Sequence, residues 1–362
     1  MSAIHGPVHR PARAASSRGW PTIALAKSGL APDLGARLDA AVAAGELDGL
    51  HAVVVARHGA LAFERYYQGV DQAWGRPLGQ VVFGAEVLHD LRSVTKSIVG
   101  LLYGIALHEG KAPALDAPLI DQFPGLADLA ADPARRRLTV AHALAMTLGL
   151  AWNEDLPYDD PANSEIAMEH APDRYRFVLS QPIVAEPGAR WRYNGGATAL
   201  LAHLIARGTG VPLLDYAREK LFAPLGITEF VWTLGTNGEP SAASGLRLTP
   251  RDLAKIGQLV LDGGKWGAAQ LVPRAWLDAC FTRHAQVDDT LGYGYQWWLG
   301  KLTTDGKPWV AGFGNGGQRL MVVPSRDLVI AILCGRYNQP DAWKLPVKVL
   351  TDFVRPGGLK AG

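Results

Sequence analysis

The chain has 362 residues, 48% apolar and 19% charged, with 36 Lys and Arg against 34 Asp and Glu for a net charge of +2. That composition excludes an intrinsically disordered chain, and the balance leaves no bulk basic field for nucleic acid. The longest apolar runs, 98–107 and 328–334, fall well short of the roughly 20 residues of a membrane helix, so no membrane span is expected.

Residues 1–19 carry arginines and no acid, but lack the apolar stretch of a secretory signal. They read as a poorly ordered tail; the cytoplasm is the default compartment, with a periplasmic or secreted location as the alternative. From there to residue 362 the chain reads as one domain. Leu34, Leu38, Ala41 and Val42 have helical spacing over 34–44. Two strand-like runs, 52–57 and 60–67, meet at His58-Gly59, where glycine supplies the positive φ of a tight turn. Residues 93–108 read as a helix apolar on nearly every face, stopped by Gly110, and such a helix belongs in the interior. Residues 115–285 are mostly helical patterns broken by Pro and Gly, including 197–207 (ending before Gly208) and 251–261. Strands return at 293–299, 309–313, 319–323 and 328–334, and a last helix is expected over 343–354. Strands at both ends can pair across the gap. The expected fold is therefore α+β, an antiparallel sheet built from both chain ends, with flanking helices and a helical subdomain inserted at about 115–285. A ligand site belongs at the seam between sheet and insertion. Cys280 and Cys334 read as buried free thiols, since two cysteines make no disulfide framework.

The segment Leu91-Arg92-Ser93-Val94-Thr95-Lys96-Ser97 holds a Ser-x-x-Lys at the head of the interior helix. Three residues are nearly one helical turn, so Ser93 Oγ and the Lys96 amine share a face. A serine hydroxyl needs a proton acceptor to become a nucleophile, and a lysine in a dry site, its ammonium disfavoured, can serve as that base or tune one. By spacing alone the motif is a common coincidence. The bland alternative is a capping serine with a surface lysine, yet an all-apolar helix leaves Lys96 little exposed face.

Further segments add to this one: Leu138-Thr139-Val140-Ala141-His142, Glu186-Pro187-Gly188-Ala189-Arg190-Trp191-Arg192-Tyr193-Asn194, and Leu221-Phe222-Ala223-Pro224-Leu225-Gly226-Ile227. With them the chain resembles the serine β-lactamase and penicillin-binding-protein superfamily over nearly its whole length. The likeness is to the class C and esterase-like branch with its 6-aminohexanoate-dimer hydrolases and carboxylesterases. That resemblance implies the β-lactamase/transpeptidase-like fold. It implies that Ser93 forms an acyl-enzyme, that Tyr193 accepts and returns its proton beside Lys96, and that no metal or cofactor is needed. It also implies an oxyanion hole made by the N–H of Ser93 and one N–H from the strand lining the site. Within Gly312-Phe313-Gly314-Asn315-Gly316-Gly317-Gln318 two registers fit. The preferred motif is Asn315-Gly316-Gly317, because the strand 319–323 follows at once, and it makes Gln318 the donor; Gly312-Phe313-Gly314 would make it Asn315.

Two departures from the family's pattern bear on substrate. The asparagine of Tyr-x-Asn falls one place early, at Asn194. The lysine or histidine of the strand motif is absent, which argues for an ester or amide over a β-lactam. Asn194, Asn315, Gly317 and Trp152 are the expected substrate contacts, with Trp297 and Trp298 as further aromatic lining or core. Seven acids between Glu154 and Asp173, with no Lys or Arg among them, suggest an acidic rim for substrates with an amine end; a solvated loop explains them equally well. The expected partner is a small-molecule ester or amide, and no nucleic acid. The alternatives are a D-alanyl-D-alanine carboxypeptidase or β-lactamase, and a non-catalytic ligand-binding member of the same fold.

Overall fold

The computed structural model describes residues 8–9 and 20–360. The expected tail 1–19 lies outside the described residues, apart from Val8–His9, which pairs with Val231–Thr233.

Eight antiparallel strands form the main sheet. In chain order they are β1 Leu50–Arg57, β2 Ala60–Tyr66, β3 Ala285–Gln286, β4 Gly292–Tyr293, β5 Trp298–Lys301, β6 Pro308–Gly314, β7 Gln318–Val323 and β8 Leu328–Cys334. Their spatial order is β3-β4-β5-β6-β7-β8-β1-β2, so the two chain ends meet where β8 pairs with β1. No residue between Tyr66 and Ala285 contributes to this sheet; that stretch carries most of the helices. His58 and Gly59, with φ of 55° and 71°, turn β1 into β2.

Every residue of β1, β7 and β8 is buried, because both faces of the sheet are covered. Alternation divides them between two cores. Ala52, Val54 and Ala56 face α2 (Val94–His108), α3 (Gly195–Thr209) and α4 (Pro250–Leu261), whereas Leu50, Val53 and Val55 face α1 (Leu34–Ala43) and the C-terminal helical turns.

Three expected boundaries differ for physical reasons. The run 293–299 is two strands, because Gln296 takes a left-handed φ of 63° and turns its amide to the carbonyls of Ala143 and Leu144. The helix expected to stop before Gly208 continues to Thr209 and ends on left-handed Gly210. Gly208 lies inside it, where any Cβ would overlap the Lys111 carbonyl. The final helix is a short α segment, Lys344–Lys348, followed by a π turn, Val349–Val354. A hairpin of Gln68–Ala73 with Arg76–Val82 was not legible, since Gly69, Gly79 and Pro77 break its strand pattern. Both cysteines are free and buried.

α2 crosses the interior: Val94 through Ala106 are all buried, which is why its sequence shows no polar face. Its entry is pinned by a small sheet in which His89–Asp90 pairs with Leu246–Leu248. Arg247 fastens that strand by bonding Asp90 at 2.7 Å and Asp71 at 2.9 Å. Arg92, just before the helix, holds a left-handed φ of 48°; its guanidinium sits over the Tyr337 ring and 3.3 Å from Asp90. A non-glycine residue in that region stores strain, maintained here by the surrounding ion pairs.

Candidate active site

Ser93 is the N-cap residue of α2, yet its side chain makes no cap bond. The hydroxyl is therefore free of the role that a helix-starting serine usually fills. Lys96 Nζ lies 3.0 Å from Ser93 Oγ, 3.3 Å from Glu165 Oε2 and 3.0 Å from the Ala243 carbonyl. Three N–H groups meet three acceptors, which is the valence of an ammonium. Lys96 is only 1% exposed. Burial by itself lowers the ammonium's pKa, but Glu165, Tyr193 and Glu154 together outweigh it, and the net direction is upward. The net direction is opposite to that expected of a lysine in a dry site alone, because this site is also acidic.

Tyr193 precedes α3, and Lys96 Nζ stands 4.8 Å from the centre of its ring. Burial pushes the phenol up. Lys96 pulls it down and Glu154 adds to the rise, leaving it above the ordinary tyrosine value. The phenol is accordingly neutral at rest, and the ammonium's influence does not suffice to make it a standing phenolate.

Glu165 is the principal member that sequence reasoning missed. It lies on the helix Ser164–His170, capped by Asn163. It is 1% exposed, and its second oxygen accepts from Ser244 Oγ at 2.5 Å. Ser244 accepts in turn from Trp74 Nε1 at 2.9 Å. Glu154 lies nearby: its Oε1 accepts from Trp152 Nε1 at 2.5 Å and from the Gly195 N–H, and its Oε2 accepts from Tyr158 at 2.9 Å. Burial and then the Glu165 charge push Glu154 up to about 7. The proposed acidic rim divides: Glu154, Glu165 and Glu169 belong to an internal network, whereas Asp155, Asp159 and Asp173 remain exposed. Glu165 pairs with Lys96, Glu169 with Arg174 at 2.8 Å and Asp155 with Arg192 at 3.2 Å, while Asp173 caps the helix Arg174–Leu179. The sequence signal was present as an acid cluster, but nothing in spacing shows that its cation comes from α2, 69 residues earlier.

The strand against the Ser93 segment is β6. A Cβ on Gly312 would stand 3.0 Å from Val94 and 3.1 Å from Ser97 Oγ, and one on Gly314 would overlap the Leu91 carbonyl. The preferred register, with Gln318 as donor, does not match this packing. Gln318 opens the interior strand β7, one strand farther away. It is 1% exposed, and its amide is tied to the Cys334 backbone at 2.6 and 2.9 Å. Gly317 likewise packs on Cys334, away from α2. Asn315 lies at the end of β6 with Oδ1 accepting from the Asn338 N–H at 3.0 Å. Asn194 spends its side-chain oxygen capping α3 at Ala197 N, 3.0 Å away. Trp152 is buried and orients Glu154. Trp297 is wholly buried in the core, and Trp298 packs between Tyr193 and Phe313.

Among the described residues His51, Asp71 and His89 could together offer three metal-ligating atoms. His51 Nδ1 and His89 Nε2 are already joined at 2.9 Å, and Asp71 is held by Arg247 and Tyr337. This cluster is a buried network beside the strand before α2, with His51 Nε2 left without a hydrogen-bond partner. No single helix among the described residues is long and apolar enough to cross a membrane.

A mixed fold with a large antiparallel sheet, its helical insertion closing over a buried Ser-x-x-Lys pair, defines the class: hydrolases of the β-lactamase and penicillin-binding-protein fold. The Beta-lactamase family model matches residues 36–345, and the chain belongs to that family. It is similar to the 6-aminohexanoate-dimer hydrolase of Paenarthrobacter ureafaciens, 28% identical over 281 residues, covering 72% of this chain and 69% of the relative. It is 31% identical over 210 residues to esterase EstB of Burkholderia gladioli, covering 55% of this chain and 52% of the esterase. The crystal structure of a penicillin-binding protein from Bacillus halodurans superposes with a TM-score of 0.65 at 17% identity, over 85% of this chain and 98% of that one.

Proposed function

We propose that the protein is a serine hydrolase that cleaves a carboxylic ester or amide through an acyl-enzyme on Ser93. The observation that carries this reading is the 3.0 Å contact between Lys96 Nζ and a Ser93 hydroxyl that caps nothing. Because Lys96 donates to Ser93 Oγ, the hydroxyl proton is directed elsewhere, and the Tyr193 phenol is the neighbouring acceptor. A neutral phenol accepts that proton only as its own passes on. In the proposed step Ser93 Oγ bonds to the carbonyl carbon, its proton moves to Tyr193, and the Tyr193 proton moves to the departing oxygen or nitrogen. The Lys96 ammonium stabilises the negative charge that develops on Oγ and the phenol. Water then attacks the acyl-enzyme by the same route, and the acid is released.

The Ser93 N–H and an N–H from the end of β6, Gly312–Asn315, are the proposed oxyanion donors. This moves the strand contribution from Gln318 to the strand that touches α2. The relatives named a dimer hydrolase and an esterase support an ester or amide substrate.

The test is fluorophosphonate labelling read by intact mass, with turnover of 4-nitrophenyl butyrate and nitrocefin in parallel. One adduct on the natural chain and none on Ser93→Ala, with ester turnover above nitrocefin turnover, is the expected result. An unlabelled protein without turnover overturns the reading in favour of a non-catalytic binder, and dominant nitrocefin turnover overturns the esterase assignment.

A further inference from the structure

A cavity of about 250 Å³ lies on the flank of α3, and its lining includes none of Ser93, Lys96, Tyr193 or Glu165. Ala199, Ala202 and Ala206, on one face of the helix, form its floor, and Pro212 and Leu213 close one end. These alanines lie about 9–20 Å along the helix from Tyr193, at 1.5 Å per residue. Tyr175 and His203, with ring centres 4.4 Å apart, supply an aromatic wall. Phe123 stacks on His203 at 5.0 Å and 20°, which holds that ring in place.

Glu239 brings a charge to this apolar space. Its Oε2 accepts from Tyr175 Oη and from Asn237 Nδ2, the latter at 3.0 Å. Both donors are neutral. Among the described residues no cation pairs with this carboxylate, and no donor reaches Oε1. Burial pushes the Glu239 carboxyl up, Arg174 draws it down, and Asp173 adds to the rise. Arg174 also lines the cavity, but its guanidinium is committed to Glu169 at 2.8 Å and to the Pro240 carbonyl at 3.1 Å. One cation therefore faces three acids, Glu169, Glu239 and Asp173. The surplus is negative, so the cavity repels anions. A half-buried carboxylate served only by neutral donors gains most from a cation, and aromatic faces attract the same ligand.

We propose that this cavity is a second ligand site, which binds a small organic ammonium with its N–H groups on Glu239 and its apolar body against the alanines of α3. The volume sets the size. About 150 Å³ holds a benzene ring, so the cavity takes a ring with an aminomethyl arm or an aliphatic amine of similar bulk. The site does not depend on the serine-hydrolase reading. It is also separate from the amine preference that the acid-rich stretch 154–173 suggests from sequence, since Glu239 lies outside that stretch.

The experiment is calorimetric titration of the full chain at neutral pH with benzylamine, and with benzyl alcohol as its uncharged counterpart. Benzylamine is expected to bind roughly tenfold more tightly or better, the scale of one charge-assisted contact. In Glu239→Gln, which keeps the size of the side chain, that ratio is expected to fall to about one. In Ala206→Leu, which fills the cavity and keeps the carboxylate, binding of both compounds is expected to be lost. An unfolding midpoint close to that of the natural chain shows that a variant is folded, and either variant alone suffices. Absence of heat with benzylamine on the natural chain overturns the inference. Equal affinity for amine and alcohol overturns it too, as does a preference that survives Glu239→Gln. Repeating the titration after fluorophosphonate labelling separates this cavity from the Ser93 site. The affinity is expected to be unchanged, and loss of binding on labelling overturns the inference. The Glu239 and Ala206 measurements need no catalysis, so they decide the inference even if Ser93 takes no label.

Discussion

Glu165 Oε2 lies 3.3 Å from Lys96 Nζ, and each side chain is 1% exposed. The pair joins the helix of the proposed nucleophile to the inserted helical region, and it fixes the lysine as a cation. Removing one partner leaves the other charged and buried. Glu165→Gln is expected to lower stability by roughly 3–5 kcal/mol. It is also expected to reduce kcat more than it raises KM. Urea unfolding beside steady-state kinetics checks both, and unchanged stability would show that the pair is not the anchor described.

Glu154 gives stability a pH dependence of known sign. Its carboxyl is raised from the ordinary 4.5 to about 7, by burial first and by Glu165 second. A carboxyl raised on folding binds its proton more tightly in the folded chain. Its contribution is therefore fully present below about pH 4.5 and is lost as pH rises to about 7. Glu169, also raised to about 7, acts in the same direction, so the informative quantity is the difference between two proteins. The unfolding midpoint of Glu154→Gln is expected to fall less than that of the natural chain between pH 5 and 8. Parallel profiles would remove Glu154 from the account.

Asn194 separates a structural role from a substrate contact. Its side-chain oxygen caps α3, so Asn194→Ala is expected to cost about 1 kcal/mol of stability. The variant's KM is expected to stay close to that of the natural enzyme. A large rise in KM with stability intact would restore the substrate-contact expectation.

Gly314 tests which strand supports the nucleophile. A methyl group there meets the Leu91 carbonyl, which is backbone and cannot rotate away. Gly314→Ala is expected to shift the segment before Ser93 and to reduce fluorophosphonate labelling by about tenfold or more, since small misplacements of reacting groups are costly. Gly317→Ala, remote from α2, serves as the comparison. A stronger effect on labelling from Gly317 would favour the register that ends on Gln318.

Much of the fold was legible because its strands and helices carry their own periodicity. The strand 328–334 matches β8 at both ends, and the two terminal groups of strands belong to one sheet as their order implied. Ser93 and Lys96 were legible because their relation is local, three residues on one helical face. The Gln68–Val82 hairpin was not legible, because glycine and proline interrupt it and pairing between its strands supplies what propensity does not.

The sequence by itself determined the antiparallel sheet built from both ends, the buried helix and the Ser-x-x-Lys geometry, since each follows from hydrophobic period or helical spacing. Only the tertiary structure decided the charge of Lys96, because that depends on Glu165 and Glu154 from another part of the chain. It also decided that β6 rather than β7 meets α2, and that Asn194 is a cap. Burial and through-space charge depend on distance, and distance between residues far apart in the chain is set by packing rather than by order.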